Sequence, residues 1–283
     1  MKPIKDIKLI QIEVTNACIN QCANCTRFVG HHKTPFFMNL ATISKAIDSL
    51  EGFPGNIGLM GGEPTLHPKF KEICELFQMK IPDKRRREFW TSGYKWEEYK
   101  DIIHETFDED LISFNDHSSA DGKHQPMLVA IDEILDDKEE MWNIIDKCWV
   151  QDRWCASITP KGAFFCEVAA AMDHMFDGPG GWKVEKDWWK RTPEDMMDQV
   201  SRYCDKCGAT VPIGETSDNA TFDIISPKNV QRLKELKSPK VMKGDFAVYG
   251  RSWTADEIKK KQKEKWNPQN YRTFVGHDPK DGK

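Results

Sequence analysis

Three cysteines, Cys18, Cys22 and Cys25, form a C-x3-C-x2-C run immediately after an alternating apolar stretch, Leu9, Ile10, Ile12 and Val14. That alternation is the period of a β-strand, so the pattern delivers three thiols to one loop at a strand's end. Met1 to Lys8 alternate Lys with apolar side chains and lack the apolar core of a secretory signal. The chain is therefore read as cytoplasmic, where thiols stay reduced, and its nine cysteines point to metal ligation rather than disulfides. Thiolate is the ligand of iron–sulfur clusters, and three thiolates on a four-iron cubane leave one iron open. A structural zinc would need a fourth ligand nearby, which His31 or His32 could supply.

A second motif weighs between these readings. Gly61, Gly62, Glu63 and Pro64 follow the apolar stretch Ile57 to Met60, read as a second strand. Glycines there let backbone approach a ligand closely, and proline stiffens the turn. By itself this turn is an ordinary strand-to-helix connection. Placed 36 residues after Cys25, it gives a combination that closely resembles the radical S-adenosylmethionine (radical SAM) superfamily over about residues 8–116. The resemblance implies an α/β fold, a partial, shortened β/α barrel. In it Cys18, Cys22 and Cys25 each hold one iron of a [4Fe–4S] cluster whose fourth iron is chelated by SAM. It also implies that the Gly61 to Pro64 turn meets the SAM amino group through backbone carbonyl and carboxylate acceptors.

The following chain reads as βα units. Asn39 is a candidate N-cap for a helix over about 39–50, and Phe70, Ile73, Cys74 and Phe77 form the apolar face of a second over about 69–78. Cys74 on that face is a core residue. A third strand runs from Glu88 to Thr91 and ends in Thr91, Ser92 and Gly93, where the superfamily often places contacts to SAM. A fourth, Leu111 to Phe114, ends in Asn115, Asp116 and His117. Binding residues collect at the carboxyl ends of parallel strands, which makes these three candidates for cofactor or substrate contacts. The basic run Lys84 to Arg87 reads as a solvated loop. Met127 to Leu135 and Met141 to Ile145 look helical, leaving too little chain for two further βα units.

Cys155, Cys166, Cys204 and Cys207 form C-x10-C, a gap, and C-x2-C. Ser157 to Thr159, Pro160-Lys161-Gly162 and Ala163 to Phe165 have a strand-turn-strand pattern that would bring Cys155 and Cys166 together. Four thiolates satisfy either a complete cluster or a tetrahedral zinc. The arrangement resembles the twitch domain, a shortened SPASM domain holding one auxiliary [4Fe–4S] cluster. The expected division is a barrel over 1–150, a twitch domain over 151–215 and a polar extension over 216–283, with a helix near Pro227 to Leu236 and a Lys-rich run from Lys259 that reads as a solvated face. Cys148 is a candidate hydrogen-atom donor, a replacement ligand or filler.

A net charge of −4 argues against binding nucleic acid chiefly through phosphates, and no apolar run approaches the ~20 residues of a membrane span. The resemblance is nearest to 2-deoxy-scyllo-inosamine dehydrogenases, which implies oxidation of a small polar, sugar- or cyclitol-like substrate. His117, Asp116, Asp152 and Arg153 are then candidate bases or substrate contacts, and a flavodoxin or ferredoxin is the implied electron donor. An epimerase of a sugar or peptide using Cys148 as donor, a ribosomal-peptide maturase, and a zinc-stabilised binding module are the alternatives.

Overall fold

The computed structural model describes residues 1–115, 123–153, 156–214, 216–217, 220–262 and 272–273, with the side chains of 152, 153, 262, 272 and 273 outside the description. Strand β1 (Leu9–Thr15) is an interior strand of a seven-stranded sheet. Three βα units follow it: helix α1 (Leu40–Asp48), strand β2 (Asn56–Gly61), α2 (Phe70–Lys80), β3 (Arg87–Thr91), α3 (Trp96–Thr106) and β4 (Ile112–Phe114). All of β1 to β4 are parallel neighbours, as βα crossovers require. Asn39 caps α1 by accepting from the Thr42 amide at 2.8 Å, and Cys74 is fully buried in the core.

Both faces of β1 are buried, and its alternation divides apolar from polar side chains. Ile10, Ile12 and Val14 join the apolar core, while Gln11, Glu13 and Thr15 are equally buried. On β3, Phe89 stacks on Phe107 at 5.1 Å, and its neighbour Trp90 lines the pocket described below. The period-two pattern thus separates an apolar face from a polar inner one.

After β4 the chain forms a short strand β5 (Lys123–His124), helices α4 (Ile131–Ile134), α5 (Lys138–Asp146) and α6 (Val150–Arg153), and a hairpin of β6 (Ala156–Thr159) and β7 (Gly162–Phe164). The hairpin matches the sequence expectation. Its place is less expected: β6 pairs in parallel with β1, Ile10 opposite Ala156 and Ile12 opposite Ile158. The sheet therefore grows at the β1 edge and runs continuously across the expected boundary at 150/151. Helices α7 (Glu167–Met175) and α8 (Met197–Tyr203) follow, then strand β8 (Thr216–Ser217), which pairs with β5.

The last elements are β9 (Asp223–Ile225), α9 (Pro227–Glu235), α10 (Pro239–Lys243), β10 (Phe246–Val248), α11 (Ala255–Gln262) and β11 (Arg272–Thr273), the last antiparallel to β4. Lys259, Lys260 and Lys261 on α11 are exposed, as expected. The basic run Lys84 to Arg87 is solvated only in part, with Arg85 exposed and Lys84 and Arg86 half-buried. Arg87 is buried, donating to the carbonyls of Ile81 at 2.7 Å and Thr106 at 2.9 Å, and Arg86 donates to Phe53 and Gly55. The Arg87 guanidinium thus satisfies carbonyls at the ends of α2 and α3, and Arg86 ties down the α1–β2 loop. No helix among the described residues is long and apolar enough to cross a membrane.

Candidate functional site

The loop after β1 begins with Thr15 and Asn16 stapling it to its own far end. Thr15 Oγ1 donates to the Phe36 carbonyl at 2.6 Å, and Asn16 Oδ1 accepts from the Phe36 amide at 2.8 Å. Within that loop Cys18, Cys22 and Cys25 line one pocket together with Gly61 and Gly62. The two glycines are there for space. A Cβ on Gly61 would stand 2.3 Å from the Thr15 carbonyl oxygen, and one on Gly62 would stand 2.4 Å from that of Ala17. The Gly62 and Glu63 amides donate to Thr15 and Ala17 at 2.8 and 2.7 Å, so the end of β2 is clamped against the start of the cysteine loop.

Glu63 completes the clamp. Its fully buried carboxylate accepts five hydrogen bonds, from the amide and hydroxyl of Thr65, the hydroxyl of Thr91 at 2.9 Å, and the amide and hydroxyl of Ser92 at 2.7 and 2.6 Å. A carboxylate has about four lone-pair sites, so this one is saturated. Glu63, Thr91 and Ser92 are brought to each other beside the pocket rather than into its lining. Pro64 starts a buried 3-10 turn. The acceptors that this turn offers the pocket are backbone ones.

Asn115, at the end of β4, lines the pocket as expected. Asp116 and His117 lie outside the described residues. Residues not singled out from sequence complete the lining, notably Gln11, Arg27, Trp90, His124 and Glu167. Arg27 lies between two carboxylates, 3.3 Å from Glu13 and 2.7 Å from Glu167. Burial pushes Glu13 above the usual carboxylate range, against the opposing pull of Arg27 and a hydrogen bond from Ser157 at 2.9 Å. The His124 Nδ1 is 2.9 Å from the Ala23 carbonyl, so Nδ1 is the donor. Only the positions of Arg27, two residues past Cys25, and Glu167, directly after Cys166, would have marked them in the sequence.

Neither His31 nor His32, the fourth ligands named for a zinc, lines the pocket of the three cysteines. His31 has Nδ1 at 2.7 Å from Ser238 Oγ and Nε2 at 2.7 Å from Asp223 Oδ2, so both ring nitrogens are engaged. His32 Nε2 is 3.0 Å from the Arg27 carbonyl.

A second pocket is lined by Cys148, Cys166, Cys204 and Cys207 amid Ile145, Val150, Phe165, Val168, Met172 and Tyr203. Cys166 caps the start of α7, and Cys204 opens the 3-10 turn Cys204–Lys206. Gln125 holds the C-x2-C loop by donating to the carbonyls of Gly208, Ala209 and Val211 at 2.8, 3.1 and 2.7 Å. The structure thus brings Cys166, Cys204 and Cys207 together as predicted, with Cys148 beside them. Cys155 lies outside the described residues, and Asp152 and Arg153 sit on α6 with side chains outside the description. Burial, with the neighbouring thiols adding to it, pushes Cys166 and Cys204 well above the ordinary thiol range. Burial raises Cys207 and, in the first pocket, Cys18 to about 12. Without metal these thiols are protonated, and ligation must displace their protons.

Among the described residues no three potential ligands are drawn together around a single-ion point. Three thiols facing a pocket beside glycine backbone fit a site-open [4Fe–4S] cluster, and four thiols around an apolar pocket fit a fully thiolate-ligated one.

No protein-family model matches the chain, and no curated protein matches it. Among solved structures it is similar to BtrN in an open conformation, with 16% identity and a TM-score of 0.40 over 72% of this chain and 87% of that one. BtrN in complex with AdoMet and 2-DOIA gives 15% and 0.41 over 71% and 92%. Streptococcus suis SuiB bound to precursor peptide SuiA gives 9% and 0.31 over 87% and 50%.

Proposed function

We propose that this chain is a radical SAM oxidoreductase that oxidises a small polar, sugar- or cyclitol-like substrate. The observation that carries the reading is the convergence of Cys18, Cys22, Cys25 and the Gly61–Gly62 backbone on one pocket. Those three thiolates would hold three irons of a [4Fe–4S] cluster, and the backbone acceptors beside Gly61 and Gly62 would receive the amino group of SAM. When bound and reduced, the cluster supplies the electron that splits the SAM sulfonium and yields a 5′-deoxyadenosyl radical able to take hydrogen from substrate.

The protein's own part is binding, orientation and proton handling. Gln11, Asn115, Arg27 and Glu167 offer donors and acceptors to a hydroxylated molecule in the pocket. His124, whose Nδ1 meets the Ala23 carbonyl, lines the same pocket, and His117, Asp116, Asp152 and Arg153 are proposed as bases or substrate contacts, Arg153 as a contact only because a guanidinium stays protonated. Cys148, Cys166, Cys204 and Cys207 would hold an auxiliary cluster able to accept the second electron of the substrate's oxidation, which gives Cys148 a ligand's role instead of a hydrogen donor's. The Arg27–Glu167 ion pair joins the two cysteine sites, since each partner is within two residues of a ligand. A flavodoxin or ferredoxin would supply the first electron.

Anaerobic reconstitution followed by iron and sulfide counting tests the assignment: two cubanes give about eight of each. Incubation with SAM and reductant should then release 5′-deoxyadenosine. A folded, iron-loaded protein that leaves SAM intact would refute the reading.

A further inference from the structure

The loop that carries the three first-site cysteines holds little regular structure of its own. Between β1 and α1 it contains one 3-10 turn, Val29–His31, and Asn24 and Phe28 adopt left-handed backbone at φ 51° and 52°. Asn tolerates that region, but a bulky residue such as Phe28 is held there by its surroundings. The surroundings come from far along the chain. Asp223, on β9, accepts from the Asn24 amide at 2.5 Å, a residue 199 positions away. The same Oδ1 accepts from Lys240 Nζ at 2.7 Å, and Oδ2 meets His31 Nε2 at 2.7 Å.

Lys240, on α10, donates further to the carbonyl oxygen of Cys22 at 3.2 Å, and Ser238 meets the other nitrogen of His31 at 2.7 Å. The Ile224 amide closes the set by donating to Asn24 Oδ1 at 2.9 Å. Lys240, Asp223 and His31 are 4%, 3% and 5% exposed, and lysine is almost never so buried unless paired. Gly30 leaves room for its stem, since a Cβ there would stand 2.8 Å from Lys240 Cδ.

We propose that Asp223, Lys240 and His31 form a clasp by which the C-terminal segment holds the Cys22–Cys25 stretch in its ligating shape. They are positioning residues for the first-site cluster, and in that respect the inference rests on the function proposed above. Hydrogen bonds that cross from 223–240 to 22–31 replace the missing secondary structure of the loop. Because the charges are buried, removing one partner leaves the other uncompensated, so the loop should open locally before the sheet beneath it does.

Hydrogen exchange on the full-length, metal-free protein reads the clasp directly. Lys240→Met keeps the stem and removes the charge, and His31→Gln keeps a hydrogen-bonding group and serves if the first variant does not fold. Amides of residues 22–31 should exchange about tenfold faster or more, the scale of one charge-assisted hydrogen bond, with those of 204–211 unchanged. In iron-loaded variants the EPR response to added SAM should be weakened while the auxiliary signal persists. Unchanged exchange at 22–31, an equal rise at 204–211, or an EPR response equal to that of the parent protein would overturn the proposal. Failure of the parent protein to bind iron would instead overturn the cluster assignment, and the metal-free exchange result would still report on the clasp.

Discussion

The two cysteine sites are built in opposite ways. Cys18, Cys22 and Cys25 fall within one loop, and the shape of that loop is imposed by buried polar and charged partners, with Asp223 and Lys240 arriving from the C-terminal segment. Cys148, Cys166, Cys204 and Cys207 come from separate elements and meet in an apolar pocket held from outside by Gln125 and by Trp149, whose indole donates to the Ala209 carbonyl at 2.6 Å. Ligands close in sequence need long-range help to hold their conformation. Ligands far apart in sequence inherit theirs from the packing of helices and strands.

The largest expected effect comes from removing a first-site thiol. Cys22→Ala should reduce 5′-deoxyadenosine formation to background and lower bound iron from about eight to about four per chain, by iron analysis and product chromatography. The sharpest contrast with it is Cys148→Ala against Cys155→Ala. The first should also lose about four irons yet keep SAM cleavage, and the second should keep both. The reverse result would return the auxiliary site to Cys155.

The bridge between the sites comes next. Arg27→Met leaves Glu13 and Glu167 buried without their counterion, and urea unfolding should show a loss of about 3 kcal/mol, typical of a broken buried pair. Gly62→Ala forces a methyl onto the Ala17 carbonyl; a loss of about 1–3 kcal/mol is expected from the same measurement.

A further effect concerns pH. His174 stacks on Phe36 at 4.9 Å, and burial, with Lys161 adding to it, depresses its pKa to about 4. The folded protein then holds it neutral while the unfolded chain protonates it near 6.5. Its contribution is full above about pH 6.5 and is lost as pH falls toward 4. Melting temperature should fall over that window, less steeply in His174→Phe.

Much of the frame was legible. The strands β1 to β4, the helices α1 and α2, and the β6–β7 hairpin follow from period and turn chemistry, and Cys18, Cys22, Cys25, Gly61, Gly62 and Asn115 do share a pocket. Helix α3 was passed over, although Glu97 and Glu98 in its first turn and the buried Trp96, Ile103 and Thr106 carry a helical signal. Glu63 was expected to face a ligand because its motif is read locally, whereas its five donors come from Thr65, Thr91 and Ser92. Cys155 lies outside the described residues, and no short-range pattern shows that the α5–α6 connection brings Cys148 to the pocket of Cys166, Cys204 and Cys207. The clasp was invisible for the same reason, since nothing near Asp223 or Lys240 marks them as partners of residues 22–31.

EPR spectroscopy of the anaerobically reduced protein, with and without SAM, tests the open-iron site most directly. The account predicts a cluster signal whose g-values shift on adding SAM and that is missing from Cys22→Ala. An iron-loaded parent protein whose spectrum is unmoved by SAM would contradict it.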